Sequence, residues 1–122
     1  MFYNDTILDH FMNPRNVGEM EDADGVGEVG DGRCDDVMKI YLRIQENHIL
    51  AARFETFGCA GSIAACSAAT ELLCGRTIEQ AQALDAAEID RVLGGLPEEK
   101  AHCAETAVQT IKAAIADYQK RN

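Results

Sequence analysis

Cys34, Cys59 and Cys103 each stand beside residues able to bind or tune a metal. Cys34-Asp35-Asp36 adds carboxylates, Gly58-Cys59-Ala60-Gly61 is a flexible turn, and His102-Cys103 sets an imidazole next to a thiol. Mixed sulfur, nitrogen and oxygen donors of this kind suit zinc or iron. The midpoint between positions 34 and 59 falls at Glu46-Asn47, within the polar Gln45-Glu46-Asn47-His48 that parts two strand-like runs. A chain reversal there returns Cys59 to the level of Cys34, so two thiols share the open end of one hairpin.

The runs themselves follow a period of two. Met38, Ile40, Leu42 and Ile44 alternate with Lys39 and Arg43; Leu50, Ala52, Phe54 and Thr56 alternate with Arg53 and Glu55. Both patterns predict half-buried strands, and a lone hairpin needs a cover over its apolar face. Upstream, Val26 and Val29 within a glycine-rich stretch predict one short strand.

Helical spacing supplies the cover. Asn4 to Met12 carries apolar residues at 7, 8, 11 and 12 and stops before Asn13-Pro14. Ser62 to Leu73 is an Ala-rich helix ending before Gly75, and Thr77 to Leu84 and Ala86 to Leu93 are shorter ones entered through Thr77 and Asp85. Ala104, Ala107, Val108, Ile111, Ala114, Ile115 and Tyr118 form the stripe of a last helix, begun at Pro97-Glu98-Glu99. The sum is an α+β layout with helices packed on one face of an antiparallel sheet. Cys34, Cys59 and Cys103 all fall at element boundaries, where a rigid scaffold presents reactive groups.

A chain of 122 residues, 47% hydrophobic, is long enough for one core and short for two domains, so residues 1–122 are expected as a single domain. Eleven Lys and Arg against 21 Asp and Glu leave a net charge of −10, which excludes the basic face that nucleic-acid binding requires. No apolar run approaches the roughly 20 residues of a membrane span. The start Met1-Phe2-Tyr3-Asn4-Asp5 has no basic leader pattern, and five cysteines are an odd number better suited to reduced thiols, so a cytoplasmic protein is expected.

Several motifs in order and at matching spacing resemble the IscU/NifU-type iron–sulfur cluster scaffold proteins. They are Tyr3, Asn13-Pro14-Arg15-Asn16-Val17-Gly18, Cys34-Asp35-Asp36-Val37-Met38, Thr56-Phe57-Gly58-Cys59, Ala69-Thr70-Glu71, Leu96-Pro97 and Lys100-Ala101-His102-Cys103. The resemblance implies a small three-stranded antiparallel sheet with an N-terminal helix and a long C-terminal one. It implies Cys34, Cys59 and Cys103 as ligands of a [2Fe-2S] cluster, with Asp36 or His102 completing the site and Zn as the occupant of an apo-scaffold. The implied partners are a cysteine desulfurase, apo acceptor proteins, and a second copy met through the Tyr3 region.

Two departures from the family pattern matter. The usual Cys-Gly-Asp reads Cys34-Asp35-Asp36, and Asp36 is favoured as the metal-side carboxylate by register. The Leu-Pro-Pro-Val-Lys segment that an Hsp70-type chaperone reads becomes Leu96-Pro97-Glu98-Glu99-Lys100, so weak or no chaperone binding is expected there. An alternative of another class is a zinc-dependent sulfur relay that activates a desulfurase; a structural zinc domain is the plainest one.

Among the remaining candidates, Cys66 shares the apolar stripe of its helix and is expected in the core, Cys74 at a helix end and partly exposed. His10 and His48 read as surface or turn residues. Cys103, in the opening turns of the last helix with Lys100 three residues before it, is expected to be ionised, accessible and first to receive sulfur.

Overall fold

The computed structural model describes residues 3–31 and 36–121; the side chains of Asp31 and Asp36, and all of residues 32–35, lie outside the description. Three strands, β1 (Gly25–Asp31), β2 (Asp36–Gln45) and β3 (His48–Phe57), pair antiparallel in the order β1-β2-β3. The expected hairpin turn is present. Glu46 and Asn47 both have φ near +60° (51° and 66°), the pair of left-handed residues that a two-residue turn between twisted strands demands.

The inward positions of β2 are those the alternation marked: Met38, Ile40, Leu42 and Ile44 are buried. On β3 the pattern slips. Ile44 pairs with Ile49 but Arg43 pairs with Ala51, so Leu50 is an extra residue at a bulge. Ile49 therefore takes the buried place expected of Leu50, which is left exposed. Ala52 and Phe54 keep their inward positions beyond the bulge.

Helices α1 (Asp5–Met12), α2 (Ala60–Leu73), α3 (Ile78–Gln82), α4 (Ala86–Val92) and α5 (Ala101–Arg121) complete the chain. A 3-10 turn, Glu98–Lys100, leads into α5 after Pro97. Asn4, Thr77 and Asp85 cap α1, α3 and α4 by accepting the backbone N–H of Ile7, Gln80 and Glu88. Helix α5 lies over β1 and β2, while α2 lies over β3 and is flanked by α1 and α5.

Ten of the fourteen residues of α2 are buried, which explains its even apolarity: it is enclosed on nearly every side. β1 meets α5 at backbone distance. A Cβ on Gly27 would stand 2.4 Å from Ala114 N and 2.5 Å from Thr110 O, and one on Gly25 2.4 Å from Ala114 O, so glycine is what lets the long helix rest on this edge strand. Asp117 of α5 then accepts the N–H of Val26 at 2.9 Å.

Two expectations about α1 are corrected. Its apolar edge is covered only in part: Ile7 is buried together with His10, whereas Leu8, Phe11 and Met12 are exposed, Met12 at 73%. His10 is not a surface residue, because it faces α2 and bonds Ser67 Oγ at 2.8 Å. No helix of the described residues is long and apolar enough to cross a membrane.

Candidate metal centre

β3 ends at Phe57, and Gly58 leads to Cys59, the N-cap residue of α2 in an extended conformation (φ −80°, ψ 176°). Cys103 is the third residue of α5. Two helix starts thus meet at the end of the sheet where β2 begins. Gly61 lets them close up: a Cβ there would stand 3.4 Å from Cys103 Sγ and 3.3 Å from Lys100 Cβ.

Between the two thiols sits a hydroxyl that none of the sequence motifs marks. Ser62 Oγ lies 3.7 Å from Cys59 Sγ and 3.6 Å from Cys103 Sγ, and Ser62 is wholly buried. Its signal in the sequence was the spacing Cys59-x-x-Ser62, since an N3 side chain reaches back over the cap. His102 Nε2 is 3.9 Å from Cys103 Sγ, which brings the expected imidazole to the expected thiol.

Cys59 is half-buried, and burial alone would raise its thiol. Hydrogen bonds from the N–H and Oγ of Ser62, from Lys100 and from the N–H of Gly61 outweigh that, and it ionises below its ordinary value. The donors at a helix start and one cation thus act on Cys59. Cys103, expected to be accessible, is instead fully buried against α2, and its neighbour Lys100 reaches Cys59.

Tyr3 joins the same place. Burial raises its hydroxyl first and the neighbouring Cys59 next, while Lys100 and the N–H of Gly61 pull the other way. Its sequence position gave no sign of this. Cys66, one turn beyond Ser62, is buried as expected, and burial pushes its thiol far up, with Cys103 adding to the effect. Cys74 is exposed at the end of α2.

The remaining expected residues are only partly placed. Cys34 and Asp35 lie outside the described residues, and of Asp36 only the backbone is described, paired with Asp31 next to the Val37 to Phe57 pair. Among the described residues no three His, Cys, Asp or Glu side chains converge as a metal site. Those present, two thiols and an imidazole at two helix starts, are soft and borderline donors matched to iron or zinc.

The family model for the NifU-like N-terminal domain matches residues 2–122. The chain belongs to this family. A relative from Archaeoglobus fulgidus, named iron-sulfur cluster assembly scaffold protein IscU 1, is 48% identical over 120 residues, 98% of this chain and 78% of its own. The Escherichia coli K12 protein named iron-sulfur cluster assembly scaffold protein IscU is 42% identical over 125 residues, 99% and 97% of the two chains. Among solved structures, a putative iron-sulfur cluster assembly scaffold protein from Fervidobacterium islandicum superposes with a TM-score of 0.75 at 22% identity, covering 93% of this chain and 96% of that one. A NifU-like protein from Brucella abortus gives 0.72 at 20% identity, over 98% and 95%. These two show that the NifU-like fold is shared.

Proposed function

We propose that this chain is a scaffold on which an iron–sulfur cluster is assembled, held and passed to apo-proteins. Relatives at 42–48% identity over nearly the whole chain carry that name. The observation that carries the reading is the convergence of Cys59 and Cys103, from two separate helix starts, on one buried hydroxyl. In the proposal the cluster is cargo, a [2Fe-2S] unit held by Cys34, Cys59 and Cys103, with Asp36 or His102 as the fourth ligand.

A hard carboxylate or a single imidazole in place of a fourth thiolate suits a temporary holder, because it matches sulfide-bridged iron poorly and leaves readily. The protein's part is binding and release, without turnover of a substrate. A cysteine desulfurase would supply sulfur: the outer sulfur of its persulfide passes to a scaffold thiolate and the desulfurase thiolate leaves. Cys103 is the proposed receiver. Since its sulfur is out of solvent here, docking has to displace the first turn of α5, whereas Cys59 needs no such movement.

The proposal includes a single domain over 1–122, a cytoplasmic setting that keeps the thiols reduced, and self-association through the Tyr3 region. That association would have to move the Tyr3 ring from beside Cys59. Glu98 and Glu99, exposed at the entry to α5, make the Leu96–Lys100 segment a poor Hsp70-type ligand, because an apolar groove would have to desolvate both charges.

Metal and sulfide analysis of anaerobically isolated protein tests the reading. Iron with acid-labile sulfide in equal amounts is the expected result. Colourless protein holding one zinc, with no iron or sulfide taken up on reconstitution, contradicts it.

A further inference from the structure

Ser62 owes its position to the chain on both sides. Cys59 caps α2 and Ser62 is the third residue of that helix, so its side chain turns back over the cap; Cys103 approaches from the first turn of α5. The result is one buried hydroxyl, 3.7 Å and 3.6 Å from two sulfurs. A thiol can donate its S–H to Ser62 Oγ. A sulfur bonded to iron has no proton and only accepts, so on loading the hydroxyl becomes the donor.

One hydroxyl carries one proton and serves one sulfur at a time. The hydroxyl reaches both sulfurs almost equally, and it is one of the donors to Cys59 beside the N–H groups of Gly61 and Ser62 and the Lys100 side chain. We propose that Ser62 is a positioning and tuning residue of the loaded site, its hydroxyl donating a hydrogen bond to one of the two iron-bound thiolates within its reach, Cys59 or Cys103. This rests on the scaffold reading above. Donation draws electron density from the sulfur and weakens it as a ligand, which raises the reduction potential of the cluster and eases its release. Ser62 thus loosens whichever of the two thiolates it serves.

The test compares wild type with Ser62→Ala and Ser62→Thr, each reconstituted anaerobically with iron and sulfide. Reduction potential, exchangeable-proton couplings of the reduced cluster in H2O and D2O, and transfer to an apo-ferredoxin are read. Ser62→Ala is expected to move the potential to more negative values and lose one exchangeable coupling. It is also expected to slow transfer by roughly two- to tenfold, the worth of one hydrogen bond. Ser62→Thr is expected to restore the potential and the coupling, which a merely structural role for the residue does not require.

Should Ser62→Ala lose helical circular dichroism, Ser62→Gly supplies a second hydroxyl-free variant with the same expected shift. If the wild type loads and the hydroxyl-free variants keep its potential and all its couplings, the Ser62 assignment falls alone. If the wild type takes up neither iron nor sulfide, that assignment and the scaffold reading fall together.

Discussion

His10 Nδ1 meets Ser67 Oγ at 2.8 Å, with both side chains out of solvent, and this bond ties α1 to α2. Ser67 Oγ also accepts the N–H of Arg15 at 2.9 Å, so one hydroxyl holds both the helix and the turn that follows it. The charged groups facing the imidazole are Glu71 of α2, 3.9 Å from Nε2, and Asp9 and Arg15 on its own side.

Burial first, then Arg15, holds the His10 pKa below its ordinary 6.5, against the pull of Glu71 and Asp9. A histidine whose folded pKa is depressed contributes stability that is fully present above the unfolded pKa and is lost as pH falls through the window below it. Urea unfolding at pH 7.5 and 5.5 should therefore show a loss of stability that His10→Asn reduces. At pH 7.5 the same variant should cost about 1–2 kcal/mol for the broken bond. An equal loss between the two pH values in wild type and variant would remove His10 as the cause.

Gly27→Ala should destabilise by about 1–3 kcal/mol, because its Cβ meets α5 backbone that cannot swing aside. Gly30→Ala, with nothing within 4 Å of the new Cβ, is the control and should be near neutral. Equal urea midpoints for the two variants would mean that α5 does not rest on β1 in this way.

Brief alkylation of the metal-free protein, read by peptide mass spectrometry, should label Cys59 and Cys74 well before Cys66 and Cys103. Exposure separates the two pairs, and Cys59 is additionally helped by its lowered pKa. Labelling of Cys103 as fast as Cys59 would show that the α2 to α5 contact opens readily without a partner.

Much of this architecture is legible in the sequence. Alternation from Met38 to Ile44, the polar Glu46-Asn47 reversal and the stripe of α5 each signal their element by period alone, and the structure keeps all three. The bulge at Leu50 was not legible, because Ile49 and Leu50 are equally apolar and only the pairing with β2 decides which turns inward. The burial of His10 is not legible either, since one histidine on a short helix looks the same whether it faces water or Ser67. At the site, the thiol and imidazole positions came from motif and spacing. Ser62, Lys100 and Tyr3 were not associated with Cys59, because that association is made in three dimensions by two helix starts and the N-terminal segment.

Asp36→Ala should slow transfer of the cluster to an apo-ferredoxin while leaving binding intact, by removal of the hard oxygen donor from a soft site. Faster release from the variant than from wild type would contradict this.

The central claim is that Cys34, Cys59 and Cys103 hold the cargo while Cys66 is packing. Anaerobic reconstitution with iron and sulfide, followed by iron, sulfide and absorption measurements on single Ala variants, tests it most directly. The account predicts a [2Fe-2S] spectrum in wild type and Cys66→Ala, and its loss in Cys34→Ala, Cys59→Ala and Cys103→Ala. Retention of the spectrum in Cys59→Ala or Cys103→Ala with loss in Cys66→Ala would contradict it.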